Sequence, residues 1–344
     1  MIPQATSAQT RADIPFDFAK AVAEAKRDYP AETRNITFID IDAPDAPAQY
    51  AAWMDKLKSP QSHARAAYSG ADKLTADMGA FAMGFEGHVV VAVHGQKPDR
   101  PAGKAEGIPQ GRWLQYVFDH ELGHAIVKGG MKDGILNPPP NFKESIADSF
   151  AVLRGLRNGT LDRSDIREIA DARVEEFMTR QGLPQQHLTT MALDALVINP
   201  KQIDFCSLSN AEIKAVARDY AKAFSNDQKT NLALIGSKFC HEGGRLSDSN
   251  LQSHVKNLVK LAETAPPESS AFYIALRALK TPLAEKTLAA ETTAPAWRAK
   301  LQELQARAPA RDVGAEKALE NTAPAAAPAG LVDRVKRVLS KPRI

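Results

Sequence analysis

Two stretches dense in glycine and proline, residues 95–111 and the segment from Gly129-Gly130 to Pro138-Pro139-Pro140, bracket a patterned run over residues 112–128. The run can therefore fold as one helix with a stop signal at each end. Inside it, the segment FDHELGHAIV places His120 and His124 four residues apart, with Glu121 beside the first. A spacing of four puts both imidazoles on one helix face, about one turn apart, where two nitrogens can converge on a single Zn²⁺. Glu121 leans toward the same cleft, where a carboxylate can take a proton from an activated water.

A catalytic zinc usually takes three protein groups and leaves one position open. Residue 130 is Gly and residue 127 is Val, where an H-E-x-x-H-x-x-G-x-x-H site needs His and Gly, so the longer pattern is excluded. Twenty positions after His124 comes Glu144, at the start of a helix expected over residues 142–156 with Asn141 as its N-cap. Asp148 follows one turn later. The i, i+4 pair suits one carboxylate on the metal and the other accepting the outer N–H of a ligand histidine. Asn141-x-x-Glu144 is also a capping-box spacing, in which Glu144 would bond the backbone, and Asp133 and Asp148 are the other candidate ligands.

The H-E-x-x-H pattern with a downstream E-x-x-x-D resembles the zincin metallopeptidases, specifically the gluzincin group. Glu144-Ser-Ile-Ala-Asp148-Ser-Phe150-Ala151 is similar to the second motif of the ImmA/IrrE-type regulatory peptidases of bacteria. The resemblance covers residues 112–156, with support from a strand at 88–94. It implies a zincin core that binds one Zn²⁺ through His120, His124 and Glu144, with Glu121 as general base and peptide bonds as substrate. The chain departs from that pattern in its long 95–111 loop and in following the second motif with Val152-Leu153-Arg154-Gly155. A hydrolase of this kind adds a donor for the developing oxyanion, for which Tyr116, His241 and Arg245 are candidates. The strand at 88–94 is expected to be the edge strand that aligns an extended peptide.

Elsewhere, helix begins near Ala19, a first strand occupies 35–42 and a helix covers 49–57. Beyond Ser164 the pattern is helical almost without interruption: Ile166, Ile169, Ala170 and Phe177 share one face, and Ile213, Val216, Ala217, Tyr220 and Phe224 share another behind a Ser209/Glu212 capping box. The expected class is α+β: a flexible 1–18, a catalytic domain over 19–160 with a small mixed sheet, and a helical lobe over 161–320. An Ala/Pro linker and basic amphipathic tail complete it at 321–344.

Composition bounds the partners. Across 344 residues, 44 basic and 41 acidic side chains leave +3, too little for a wholesale nucleic-acid binder. The surplus concentrates in the tail, where Arg334, Lys336 and Arg337 flank an apolar stripe suited to an anionic surface or partner. No apolar run is long enough to cross a bilayer and no secretory leader is legible, so the location expected is cytoplasmic or reached by a signal-independent export route. Cys206 and Cys240 are expected to be buried and reduced. The competing functions are a zinc metalloendopeptidase acting on a specific protein, a non-catalytic zinc-stabilised binding module, and a delivered bacterial effector protease.

Overall fold

The computed structural model describes residues 15–70, 80–96, 107–127, 141–179, 187–198, 203–225, 230, 233–234, 246–288 and 294–308. The fold is α+β, a small mixed sheet within a mainly helical chain. The sheet contains β1 (Ile36–Asp40), β2 (Phe81–Phe85) and β3 (His88–Val93) in the order β1-β3-β2. β1 runs parallel to β3, pairing Ile36 with Val89 and Asp40 with Val93, and β2 runs antiparallel to it, pairing Phe81 with Ala92.

This order corrects the edge-strand expectation for 88–94: β3 lies in the middle of the sheet. Its continuous apolar run Val90-Val91-Ala92-Val93 is fully buried, the pattern of a strand covered on both faces. β1 and β2 are the two edges, and the one beside the histidine-lined cleft is β2, whose sequence FAMGF lacks alternation and is interrupted by Gly84. A two-residue turn makes the hairpin, with Glu86 at φ +51° and Gly87 at φ +81°, the left-handed pair a type I′ connection requires. The Glu86 carboxylate accepts from the amides of Lys58 and Ser59 at 2.7 and 2.9 Å.

The remaining elements up to the motif are α1 (Phe18–Asp28), α2 (Pro30–Thr33), α3 (Ala46–Met54), α4 (Pro60–Gly70) and α5 (Gln110–Ile126). Ile39, Val90, Ala92 and Phe81 pack with Tyr50 and Trp53 of α3 on one side of the sheet. Ile36, Val91 and Val93 pack toward α5 on the other. α6 (Phe142–Asn158) lies against α5 and ends on Gly159, whose φ of +69° gives the left-handed helix stop. Behind the motif, fully buried Arg154 pairs with Asp119 and with Asp28, fastening α6 to α5 and α1.

Gly123, between the motif histidines, sets how closely α5 and α6 approach. A Cβ there would meet Ala147 Cα at 3.0 Å and Phe150 Cδ1 at 3.1 Å, both on α6. Gly123→Val should force the helices apart and cost about 1–3 kcal/mol, as overpacking does. Glu144 rides on the same helix three residues before Ala147, so metal affinity should fall together with the melting temperature. Calorimetric melting and metal titration of the variant measure the two effects; unchanged values for both would mean that the contact relaxes freely.

The later helices are α7 (Arg163–Thr179), α8 (Thr190–Ile198), α9 (Asn210–Phe224), α10 (Asp248–Thr264), α11 (Ser270–Leu279), α12 (Pro282–Leu288) and α13 (Ala294–Ala306). The Ser209/Glu212 capping box forms at α9 as expected. One continuous core runs from Ala21 to Ala221 and crosses residue 160, joining the sheet, α5 and α6 to α7, α8 and α9. A second core gathers α10–α13 around Val174 and Phe177, so α7 contributes to both. Cys206 is exposed, which corrects the expectation that it is buried; it lies in a short 3₁₀ turn, Phe205–Ser207, outside both cores. No helix among the described residues is long and apolar enough to cross a membrane. The basic tail, Cys240 and most of the 95–111 loop lie outside the described residues.

Candidate metal centre

α5 and α6 bring the motif together from two sides. On α5, the four-residue spacing stacks His120 and His124 on the face turned toward the first turn of α6, where Glu144 sits. His120 Nε2 and His124 Nε2 are 3.1 Å apart, and Glu144 Oε2 lies 3.3 Å from each. The three residues form a group that could hold a metal ion, and among the described residues no other set of three His, Cys, Asp or Glu side chains brings its ligand atoms within 4.8 Å of one another. Asn141 makes no side-chain cap bond to α6; instead its Nδ2 donates to Leu188 O at 3.1 Å. The capping-box alternative is therefore not formed, and the Glu144 carboxylate faces the imidazoles.

Asp148 is fully buried one turn further along α6 and is surrounded by donors. His120 Nδ1 lies 2.6 Å from Asp148 Oδ1, leaving Nε2 for the cluster. Tyr116 Oη donates to the same oxygen at 2.5 Å and Thr189 Oγ1 to Oδ2 at 2.5 Å. Arg173 of α7 adds a bidentate clamp, Nη2 to Oδ1 at 2.8 Å and Nε to Oδ2 at 3.1 Å. Burial opposes ionisation of Asp148, but Arg173 and His120 outweigh it and hold the carboxyl well below its usual range. Burial likewise opposes a charged His120, and Asp148 and Glu144 overcome it, so its pKa is pushed up to about 10. For Glu144, burial is overridden by the hydrogen bonds of His120 and His124, and the carboxyl stays ionised.

The histidines open onto a cleft of about 560 Å³. Its walls include Glu121, Glu144, Arg173, Glu176, His187 and the start of the β2 edge at Ala80, Phe81 and Ala82. Glu121 is 8% exposed, and burial, foremost, raises its carboxyl above the ordinary range, the direction that suits a proton acceptor working near neutral pH. Neither family models nor curated proteins nor solved structures match this chain.

Of the three candidate oxyanion donors, Tyr116 lines the cleft but directs its hydroxyl to Asp148, while His241 and Arg245 lie outside the described residues, as does Asp133. The structure adds three residues that the motif did not indicate. His187, just before α8, stands with Nε2 4.0 Å from Glu144 Oε2 and Nδ1 3.2 Å from Glu176 Oε1. Glu176 and Arg173 come from α7. One signal was available: Arg173 interrupts the apolar stripe between Ala170 and Phe177, where a charge calls for a buried partner.

Asp148→Asn tests the support directly. It keeps the shape but removes the charge facing His120 and Arg173, so metal affinity should drop about 10- to 100-fold. Arg173, part-buried, would keep only Glu176 at 3.5 Å as counter-charge, so stability should also fall, by less than the roughly 3–5 kcal/mol of a buried pair broken outright. Chelator competition and denaturant unfolding read the two effects separately. Wild-type metal affinity would show the carboxylate to be incidental to the site.

Proposed function

We propose that this protein is a zinc-dependent peptidase in which His120, His124 and Glu144 hold the metal and Glu121 is the general base. The observation that carries the reading is the triangle of ligand atoms, 3.1 to 3.3 Å on a side. Bonds of about 2.0–2.2 Å in a tetrahedral arrangement separate neighbouring ligands by about 3.4 Å, so the three atoms fit one face of a zinc coordination sphere. Two imidazoles and one carboxylate leave the fourth position for chemistry, whereas a structural zinc site normally closes with four protein groups. When bound, zinc supplies Lewis acidity, making water a nucleophile near neutral pH and polarising a peptide carbonyl.

The protein's own groups account for the remaining steps. Asp148 accepts the outer N–H of His120 and fixes the ring with Nε2 toward the cluster. Glu121 receives a proton as water attacks the carbonyl and returns it to the leaving amine. His187, in its doubly protonated form with Nδ1–H on Glu176, donates from Nε2 to the carbonyl oxygen as negative charge develops there. β2 is paired through β3 on one side, and an extended peptide can add along its other edge beside the cleft.

Metal analysis of the purified chain, together with cleavage of a fluorogenic peptide library, tests the reading. One zinc per chain and hydrolysis abolished by a chelator and restored by zinc are expected. Stoichiometric zinc with no hydrolysis would favour a zinc-stabilised binding module instead. Against that alternative stands Glu121, a buried carboxylate at the cleft for which a structural site has no use.

A further inference from the structure

Arg173 touches two carboxylates, and each of those holds a different imidazole beside Glu144. Through Nε and Nη2 it grips both oxygens of Asp148, which in turn holds His120 Nδ1. Its Nη1 lies 3.5 Å from Glu176 Oε2, and the other oxygen of Glu176 is 3.2 Å from His187 Nδ1. The two rings thus present Nε2 to the same carboxylate oxygen, His120 at 3.3 Å and His187 at 4.0 Å from Glu144 Oε2. Nη2 also reaches Tyr116 Oη at 3.2 Å, closing the arrangement on the α5 side.

We infer that Arg173 is a positioning residue that sets both imidazoles at once: His120 through Asp148 for metal binding, and His187 through Glu176 for stabilising the developing oxyanion. The inference rests on the peptidase reading for its His187 arm and on metal binding alone for its His120 arm. Geometry makes Arg the residue type for this place. A planar guanidinium offers donors in three directions within one plane, so it can clamp one carboxylate bidentately and still meet a second. A lysine ammonium on its flexible stem supplies charge without that fixed fork. Arg173 also belongs to α7, outside the motif-bearing helices, so the first helix of the expected C-terminal lobe helps to build the metal centre.

The test uses full-length protein and the variants Arg173→Lys, Arg173→Gln and Glu176→Gln. Zinc affinity is read by competition with a chromophoric chelator, metal geometry by the visible spectrum of the Co²⁺-loaded protein, and turnover as kcat and KM separately. Arg173→Lys is expected to weaken zinc binding about 10- to 100-fold, the usual loss when outer support is removed, and to alter the cobalt bands. It should also lower kcat with little change in KM. Glu176→Gln, which leaves the bidentate Arg173–Asp148 clamp in place, should change zinc affinity and cobalt bands far less than Arg173→Lys while lowering kcat. Combining Arg173→Lys with Glu176→Gln should lower kcat by less than the product of the two single effects, because both act through His187.

A folded Arg173→Lys protein with wild-type zinc affinity, cobalt spectrum and kcat would overturn the inference. So would lowered thermal stability with those three readouts intact, since Arg173 would then only hold α7 in place. If Arg173→Gln does not fold, the charge-conserving lysine variant decides. Wild-type protein that takes up zinc but cleaves nothing would refute the peptidase reading and with it the His187 arm, while zinc affinity and the cobalt spectrum would still judge the His120 arm. Wild-type protein that binds no zinc would refute both.

Discussion

Glu121→Gln should retain one zinc per chain and a wild-type melting temperature while losing peptide hydrolysis by about 10²- to 10⁴-fold, the range for removing a general base. The expectation follows from where Glu121 stands. It shares the α5 face with His120 and His124 and lines the cleft, but it is not in the His120, His124 and Glu144 group that could hold a metal. Glutamine keeps the shape and the capacity to hydrogen-bond, and cannot accept a proton at neutral pH. Stopped assays on a fluorogenic peptide, with metal content measured on the same preparation, give the comparison. Zinc loss in Glu121→Gln would make the residue a ligand, and retained turnover would put the base elsewhere in the cleft.

His120→Ala, His124→Ala and Glu144→Ala should each empty the site at zinc concentrations that saturate the wild type. Each removes one vertex of the proposed coordinating triangle, so each affinity loss should exceed the roughly 10- to 100-fold effect of losing an outer partner such as Asp148. The three variants should also differ from wild type in their response to added metal. A ligand present at 100 times its dissociation constant stabilises a protein by about 2.7 kcal/mol, and the variants should show no such rise. Thermal melts with and without zinc measure it. Glu144→Ala carries most weight, because the H-E-x-x-H pattern leaves the third ligand open. Full zinc occupancy in that variant would remove Glu144 from the coordination sphere and return attention to Asp133 and Asp148.

Much of this centre is legible without coordinates. His120, Glu121 and His124 lie within four residues on one helix, and helix geometry alone decides that the imidazoles share a face. Glu144 and Asp148 are legible for the same reason, since i, i+4 on a second helix fixes their common direction. Distance in sequence did not conceal them, because both helices carry boundary signals, in the Gly/Pro runs and in Asn141 ahead of the second. The α9 capping box and the buried faces of α7 and α9 are local in the same sense.

What local pattern could not supply is how separate elements meet. The 88–94 run reads as a strand, but whether a strand is central or at an edge depends on what pairs with it, and β2 carries too weak an alternation to be seen. His187 and Glu176 are eleven residues apart and belong to different elements, so no helical or strand period relates them. Arg173 was visible only as a charge on an apolar stripe, with nothing local to name its partners.

By itself, then, the sequence determined which side chains could converge on a metal within α5 and within α6, because intrahelical geometry is set by the backbone's own hydrogen bonds. Tertiary structure decided everything that depends on packing between elements. The close approach at Gly123 brings Glu144 to the histidines, the pairing of β3 on both sides leaves β1 and β2 as edges with β2 beside the cleft, and α7 inserts Arg173 between Asp148 and Glu176. Those outcomes follow from burial of apolar surface shared across residues 21–221, and burying the Arg173 guanidinium within that packing is tolerable only where both carboxylates already wait for it.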